Sequence, residues 1–233
     1  MTAEGQQLRS VVSQNSSAVD LVTAEIRRAV LTGALAPGQQ FSIRDLASQL
    51  GVSHIPIREA LRRLEAQGLI VLRQARSATV ATLTATDMEA IYRLRYVLEP
   101  SLAAASVGCH TPEHVQELER LLERSRDHDP EVAWQAHYDF HAALVHPAAT
   151  EWDDRILQTL WIAAERYTYL VFDPALINQG ERQRRYDTHR LLLDVALGSD
   201  AEAMAAALTE HLHANEVRIR DYIQRVEAND APA

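Results

Sequence analysis

Three histidines in the C-terminal half of the chain occupy inward-facing positions on predicted helices. His141, His189 and His211 each lie three or four residues from leucines of an apolar helical stripe, so each imidazole points toward a helix-bundle core. A buried imidazole needs partners for both ring nitrogens, and a shared metal ion would satisfy all three rings at once. The spacing therefore indicates a metal site, although three separately satisfied core histidines remain the alternative.

Arg95 is the second residue whose position suggests chemistry. It follows the stripe of Ile91, Leu98 and Leu102, so its guanidinium faces the core of the same predicted bundle. A buried guanidinium requires a partner and is the usual fork for a carboxylate. That carboxylate can be Glu99, four residues away on the helix, or an acidic ligand.

Residues 42–61 predict two short helices joined by a tight turn. Gly51 ends the first helix, Ser53 can cap the second, and Pro56 lies in the first turn of the second, where a missing amide donor is harmless. This is the helix-turn-helix pattern, whose second helix enters the DNA major groove. The exposed donors on or near the start of that helix are Ser53, His54, Arg58 and Arg62.

The flanking segments extend this pattern to a winged helix. A helix is predicted over 18–32, and residues 69–73 and 78–83 read as two strands of a hairpin joined by 74–77. Arg73 and Arg76 would lie at or beside the tip of this wing, within reach of a groove or a phosphate. A solvated charged turn is the alternative for both arginines.

The predicted fold is mainly α. It consists of a disordered tail (1–16), a winged helix-turn-helix domain (17–83) and an all-α antiparallel helix bundle (84–233), whose first helix we expect to be capped by Thr86 with Glu89. The bundle helices are predicted at 87–107, 112–127, 130–145, 151–172, 180–197 and 200–227.

Composition restricts the class of protein. The formal net charge is −9, but residues 1–82 contain nine arginines and only six acidic residues, a local excess that suits phosphate binding. The single cysteine excludes a disulfide framework, and no apolar run is long enough to span a membrane. We therefore expect a cytoplasmic protein without membrane partners.

The run LTGALAPGQQFSIRDLASQLGVSHIPIREALRRLEAQGLI (31–70) resembles the winged-helix DNA-binding domain of GntR-family transcriptional regulators. The resemblance implies a homodimer on a palindromic double-stranded operator, with DNA contacts at Arg44, Ser53, His54, Arg58 and the wing. Position 54 is usually arginine in that family, and the wing usually carries a glycine near 75–77. Both departures predict an operator that differs from the family's standard sequence.

The segments HYDFH (137–141), DTHRLLLDVAL (187–197) and GSDAEAMAAALTEHL (198–212) resemble the FCD effector domain of the FadR-like branch. That resemblance implies a divalent metal, Zn²⁺ or Ni²⁺ in our interpretation, held by His141, His189 and His211. The family's fourth ligand, an aspartate or asparagine, corresponds to His137 here. Asp139 through a local distortion, or water, remains the alternative fourth ligand.

The resemblance also places Arg95 near an effector pocket. We expect a small organic acid to bridge the metal and Arg95. Its binding should shift the helix that starts at Asp87 and so change the distance between the two DNA-binding domains of the dimer. Trp134, Tyr138, Trp161 and Arg166 either line the same pocket or pack in the core. The alternatives are a regulator without a functional metal that binds a larger acyl effector, and a metal-dependent hydrolase. No catalytic residues are predicted, because no general base lies at a recognisable spacing.

Overall fold

The computed structural model describes residues 17–73, 77–172 and 178–230. The predicted tail (1–16), the wing tip with Arg76, and the predicted helix break at 173–174 lie outside these ranges. Within them, the helices and strands follow the order predicted for a winged helix and a helix bundle.

The N-terminal elements form the winged helix. They are α1 (Ala18–Leu31), β1 (Gln40–Ser42), α2 (Ile43–Leu50), α3 (His54–Ala66), β2 (Ile70–Arg73) and β3 (Ser77–Val80). Gly51 adopts φ 65° at the end of α2, the left-handed conformation that the predicted turn required. Four apolar side chains of α3 are fully buried against α1 and α2: Ile57, Ala60, Leu61 and Leu64.

A small antiparallel sheet completes this part of the chain. Its strand order is β1-β3-β2, so β3 is the central strand. Gln40 pairs with Thr79, and Ile70 pairs with Val80. The sequence did not predict β1, and the strand predicted over 78–83 is shorter and ends at Val80.

Six further α-helices form the bundle in the described ranges. They are α4 (Ala85–Ser106), α5 (Pro112–Arg124), α6 (Pro130–Val145), α7 (Glu151–Phe172), α8 (Gln179–Ala196) and α9 (Ala201–Asp230). Among the described residues, none of these helices is long and apolar enough to cross a membrane.

The start of α4 differs from the prediction. Its N-cap is Thr84 and not Thr86, because Thr84 Oγ1 accepts the Asp87 amide at 3.1 Å and donates to Asp87 Oδ2 at 2.8 Å. Thr84 and Asp87 therefore cap the N-terminus of α4, the role that we had expected of Thr86 and Glu89.

Buried apolar side chains form three clusters. One lies inside the winged helix, and Ile162 of α7 packs against it. The largest contains side chains of all six bundle helices, among them Phe140 of α6 and Leu193 of α8. The third joins α4, α7 and α9 around Tyr92 and Tyr167. Helix α7 therefore contacts both the winged helix and the interior of the bundle.

Candidate functional site

The predicted DNA-contacting residues of α2 and α3 lie on the surface. Arg44, Ser53, His54, Arg58 and Arg62 are all exposed. Within the described residues, neither Arg44 nor Arg58 forms an ion pair, whereas Arg62 lies 3.8 Å from Glu59 Oε2. Ser53 holds the N-cap position but its side chain makes no cap hydrogen bond, so its hydroxyl stays available.

Four histidine rings meet inside the bundle. The ligand nitrogens of His137, His141 and His189 all lie within 4.8 Å of one another. The His211 ring lies beside them, with its centroid 5.0 Å from that of His141 and 4.8 Å from that of His189. Helix α6 supplies two of the rings, and α8 and α9 supply one each.

The orientation of His189 suits a metal ligand. Its Nδ1 lies 2.6 Å from the carbonyl oxygen of Arg185, which fixes the tautomer with Nδ1–H as donor and a lone pair on Nε2. That Nε2 accepts a hydrogen bond from His141 Nε2 at 3.1 Å. Two nitrogens on a tetrahedral zinc would lie about 3.3 Å apart, so this pair of imidazoles fits one ion.

Burial keeps the imidazoles neutral. It lowers the pKa of His189 to about 4. Burial together with the Arg185 guanidinium holds the pKa of His137 well below its usual value. Burial and the neighbouring imidazoles do the same to the pKa of His141 and of His211. Neutral imidazole is the form that binds a metal.

The two remaining candidate ligands make other contacts. His211 Nε2 lies 3.1 Å from the Asn215 side-chain nitrogen, so that amide competes for the nitrogen a metal would need. Asp139 accepts a hydrogen bond from Gln135 at 2.8 Å, on its own helix. His137, not Asp139, lies in the group of close ligand nitrogens.

Arg95 is buried and paired with Glu99. Its Nε donates to Glu99 Oε1 at 2.5 Å and its Nη2 to Glu99 Oε2 at 3.3 Å. Burial opposes the charged guanidinium, but the Glu99 carboxylate and the Tyr92 ring outweigh it and raise the pKa of Arg95 above its usual value. The internal pair, one of the two partners expected from the sequence, is therefore formed.

A cavity of about 50 Å³ adjoins this cluster. Its lining residues are Arg95, Trp134, His137, Tyr138, His141, Trp161, Ala164, Glu165 and Thr168. Arg166, which the sequence placed either in the pocket wall or in the core, is not among these lining residues. Arg166 points toward the winged helix instead, and its Nη1 donates to the Ala81 carbonyl at 2.9 Å.

Sequence reasoning did not identify Glu165, which connects the cavity to the winged helix. Its Oε1 accepts the Trp134 indole N–H at 2.5 Å, and its Oε2 accepts Arg27 Nε from α1 at 3.1 Å. The available signal was its spacing, because Glu165 lies four residues after Trp161 on one face of α7. The partner Arg27 is 138 residues away, and no local pattern predicts such a pairing.

Comparison with known families supports the same interpretation. Residues 19–80 match the model of the bacterial regulatory proteins of the gntR family, and residues 89–214 match the model of the FCD domain. The FCD match alone covers more than half of the chain.

Individual relatives agree with these matches. The HTH-type transcriptional regulator McbR of Escherichia coli is 28% identical over 198 residues, which is 83% of this chain and 89% of McbR. The "Uncharacterized HTH-type transcriptional regulator BphR" of Paraburkholderia xenovorans is 30% identical over 216 residues, covering 88% and 86% of the two chains. The gluconate operon transcriptional repressor of Bacillus licheniformis is 26% identical over 207 residues, covering 86% and 84%.

The fold is shared as well. The solved structure of E. coli McbR superposes with a TM-score of 0.75 at 26% identity, covering 89% of this chain and 99% of that one. These similar proteins are transcriptional regulators and not enzymes, as the sequence predicted. The chain belongs to the GntR family of bacterial transcriptional regulators, in the branch that carries an FCD effector domain.

Proposed function

We propose that this regulator is a metal-dependent sensor of a small organic acid that binds a palindromic operator as a homodimer. The winged helix (17–83) reads the DNA and the bundle (84–233) binds the metal and the effector. His137, His141, His189 and His211 hold a divalent ion, Zn²⁺ or Ni²⁺, and Arg95 lines the effector cavity.

The convergence of four neutral imidazoles carries this proposal. They come from three helices, and the fixed tautomer of His189 directs a lone pair at the nitrogen of His141. Three of the four rings are buried and His137 is half-buried, and the ligand nitrogens of His137, His141 and His189 lie close enough to share one ion. The fit supports His137 rather than Asp139 as the additional ligand, and His211 binds after releasing Asn215.

The size of the cavity favours a small effector over a larger acyl group. A volume of about 50 Å³ corresponds to roughly four water molecules. A small acid fits such a space after modest side-chain movement, whereas a long acyl chain would extend out of it. A divalent ion held by the imidazoles would supply positive charge for the carboxylate at that end of the cavity.

The exposed face of α3 supports the DNA-binding half of the proposal. Arg58 and Arg62 project away from the buried stripe of α3, in the position from which a recognition helix meets base edges. Similarity to a repressor of a gluconate operon supports repression through operator occupancy. We propose a homodimer because two winged helices related by a two-fold axis match a palindromic site.

Metal analysis of the purified full-length protein tests the proposal. We expect about one equivalent of zinc or nickel per chain. The His189→Asn variant should lose it, because the substitution removes the ring with the fixed tautomer. The His213→Asn variant is the matched control on the exposed side of α9 and should keep its metal.

The purified full-length protein should also enrich one palindromic sequence from a pool of random DNA duplexes. A protein that carries no metal and whose melting temperature does not change with zinc would refute the metal site. Failure to enrich any sequence would refute operator recognition.

A further inference from the structure

The indole nitrogen of Trp161 is a buried donor without an acceptor. The side chain of Trp161 is 7% exposed, and its Nε1 has no hydrogen-bond partner among the described residues. The same residue lines the cavity beside the histidines. A buried N–H that is left unpaired is unfavourable, and such groups in native structures often mark a missing ligand.

Three other residues of the cavity wall donate hydrogen bonds to protein partners. Trp134 Nε1 donates to Glu165, Thr168 Oγ1 donates to the Ala164 carbonyl at 3.1 Å, and Arg95 donates to Glu99. Among the described lining residues, Trp161 Nε1 is the one fully buried side-chain nitrogen or oxygen atom without a partner. A molecule in this cavity therefore meets a fully buried donor without a partner, in addition to the imidazoles.

The charges that line the cavity are balanced in pairs. Arg95 is neutralised by Glu99, and Glu165 is neutralised by Arg27. A second carboxylate on the bound molecule would therefore find no free counter-charge in this wall. A neutral oxygen acceptor, such as a hydroxyl or a carbonyl, would satisfy the indole N–H without that penalty.

We propose that Trp161 selects small monocarboxylic acids that carry a hydroxyl or oxo oxygen next to the carboxylate. The carboxylate lies at the histidine end of the cavity, and the indole N–H donates to the second oxygen. This inference rests on the proposed function, since it assigns the chemical class of the effector at that site.

Binding of four named acids to the zinc-loaded full-length protein tests this assignment. The acids are propionate, lactate, pyruvate and malonate, and the dissociation constants are measured by calorimetry. We expect lactate and pyruvate to bind about tenfold more tightly than propionate or malonate. In the Trp161→Phe variant the preference over propionate should fall to about twofold or less, because the donor is lost while the ring is kept.

The Trp152→Phe variant is the matched control, because Trp152 is 69% exposed on the same helix. It should keep the preference of the native protein. Retained binding of propionate by the Trp161→Phe variant shows that its cavity is folded.

An NMR measurement avoids dependence on any variant. The chain has three tryptophans, so three indole N–H signals are expected. The Trp161 signal should shift downfield with lactate and stay in place with propionate. Three results would overturn the role of Trp161 but leave the acid-sensing proposal standing. They are equal affinities for propionate and lactate, tighter binding of malonate, and a Trp161 signal that does not shift. Absence of binding by all four acids would overturn both.

Discussion

Arg58 shows how much one exposed side chain of α3 can contribute to reading DNA. It is exposed, forms no ion pair with another described residue, and lies one turn into the recognition helix. Arginine donates two parallel hydrogen bonds to guanine, a contact that contributes about 1–3 kcal/mol of discrimination. The neighbouring His54 cannot replace that contact, so we expect specificity to depend strongly on Arg58.

We therefore expect the Arg58→Ala variant to lose sequence-specific binding while its fold is unchanged. Competitive gel shifts with the selected operator and a scrambled duplex measure the specificity ratio, which should fall by roughly 5- to 150-fold. The Arg124→Ala variant removes an exposed arginine from α5 and serves as the control. A specificity ratio that survives in the Arg58→Ala variant would contradict the placement of α3 in the groove.

Single residues were predictable wherever a local pattern determined them. The exposed donors of α3 and the inward histidines follow from helical spacing, which needs no tertiary information. The contact of His211 with Asn215 and the unpaired indole of Trp161 were not predictable. Both depend on side-chain positions that only the packed bundle defines.

Helix α7 connects the cavity beside the histidines to the winged helix. Trp161 and Glu165 line the cavity, and Glu165 also pairs with Arg27 of α1. One residue further along α7, Arg166 donates to Ala81, and Tyr167 OH contacts Thr84 at the start of α4. From the sequence we expected effector binding to act on the winged helix through a shift of α4 alone. These contacts lead us to expect that α7 also transmits the effect of the acid to the winged helix.

Breaking the pair between α1 and α7 tests this route. The Arg27→Gln variant leaves Glu165, whose side chain is 5% exposed, without its counter-charge. We expect the free energy of unfolding to fall by roughly 2 kcal/mol. This is at the lower end of the cost of breaking a buried ion pair, because Arg27 is partly exposed. Acid binding should stay within about twofold, while the acid-dependent change in operator affinity should be lost.

Arg28 provides the control for this variant, because it pairs with Glu25 on the surface of the same helix. The Arg28→Gln variant should lose less than about 1 kcal/mol and keep its response to the acid. Urea unfolding and fluorescence anisotropy of labelled operator measure the two effects. A normal acid response in the Arg27→Gln variant would remove this ion pair from the route.

The elements themselves were largely predictable, and their exceptions have physical reasons. The six predicted bundle helices correspond to α4–α9, because apolar periodicity and the Pro and Gly breaks define long helices. Strand β1 was missed because three residues carry no alternating pattern, and its formation depends on pairing with β3. The cap of α4 was misplaced because Thr84 and Thr86 both precede an acidic residue by three positions.

The stability of the whole molecule depends in part on keeping these four imidazoles neutral. The unfolded chain has histidines with a pKa near 6.5, whereas burial lowers the pKa of His189 to about 4 and acts in the same direction on His137, His141 and His211. The unfolded state therefore binds more protons below pH 6.5. The contribution of these histidines to the free energy of unfolding is therefore complete above about pH 6.5 and is lost as the pH falls toward 4.

We expect the chelator-treated protein to be clearly less stable at pH 5.5 than at pH 7.5. His189 alone accounts for about 1.4 kcal/mol at pH 5.5, one pH unit below the ordinary pKa. The other buried rings add to this, and His110 contributes with the same sign because burial also lowers its pKa. Carboxylates with lowered pKa values, such as Asp20, affect stability only at lower pH.

Tryptophan fluorescence during urea unfolding measures this dependence in the bundle, where all three tryptophans lie. The His189→Asn variant should lose less stability on acidification than the native chain, while the His213→Asn variant, altered at an exposed position, should match it. Zinc should stabilise the native chain strongly at pH 7.5 and weakly at pH 5.5, because protons compete with the ion for the imidazoles. Equal stabilisation by zinc at both pH values would mean that the ion binds somewhere other than these histidines.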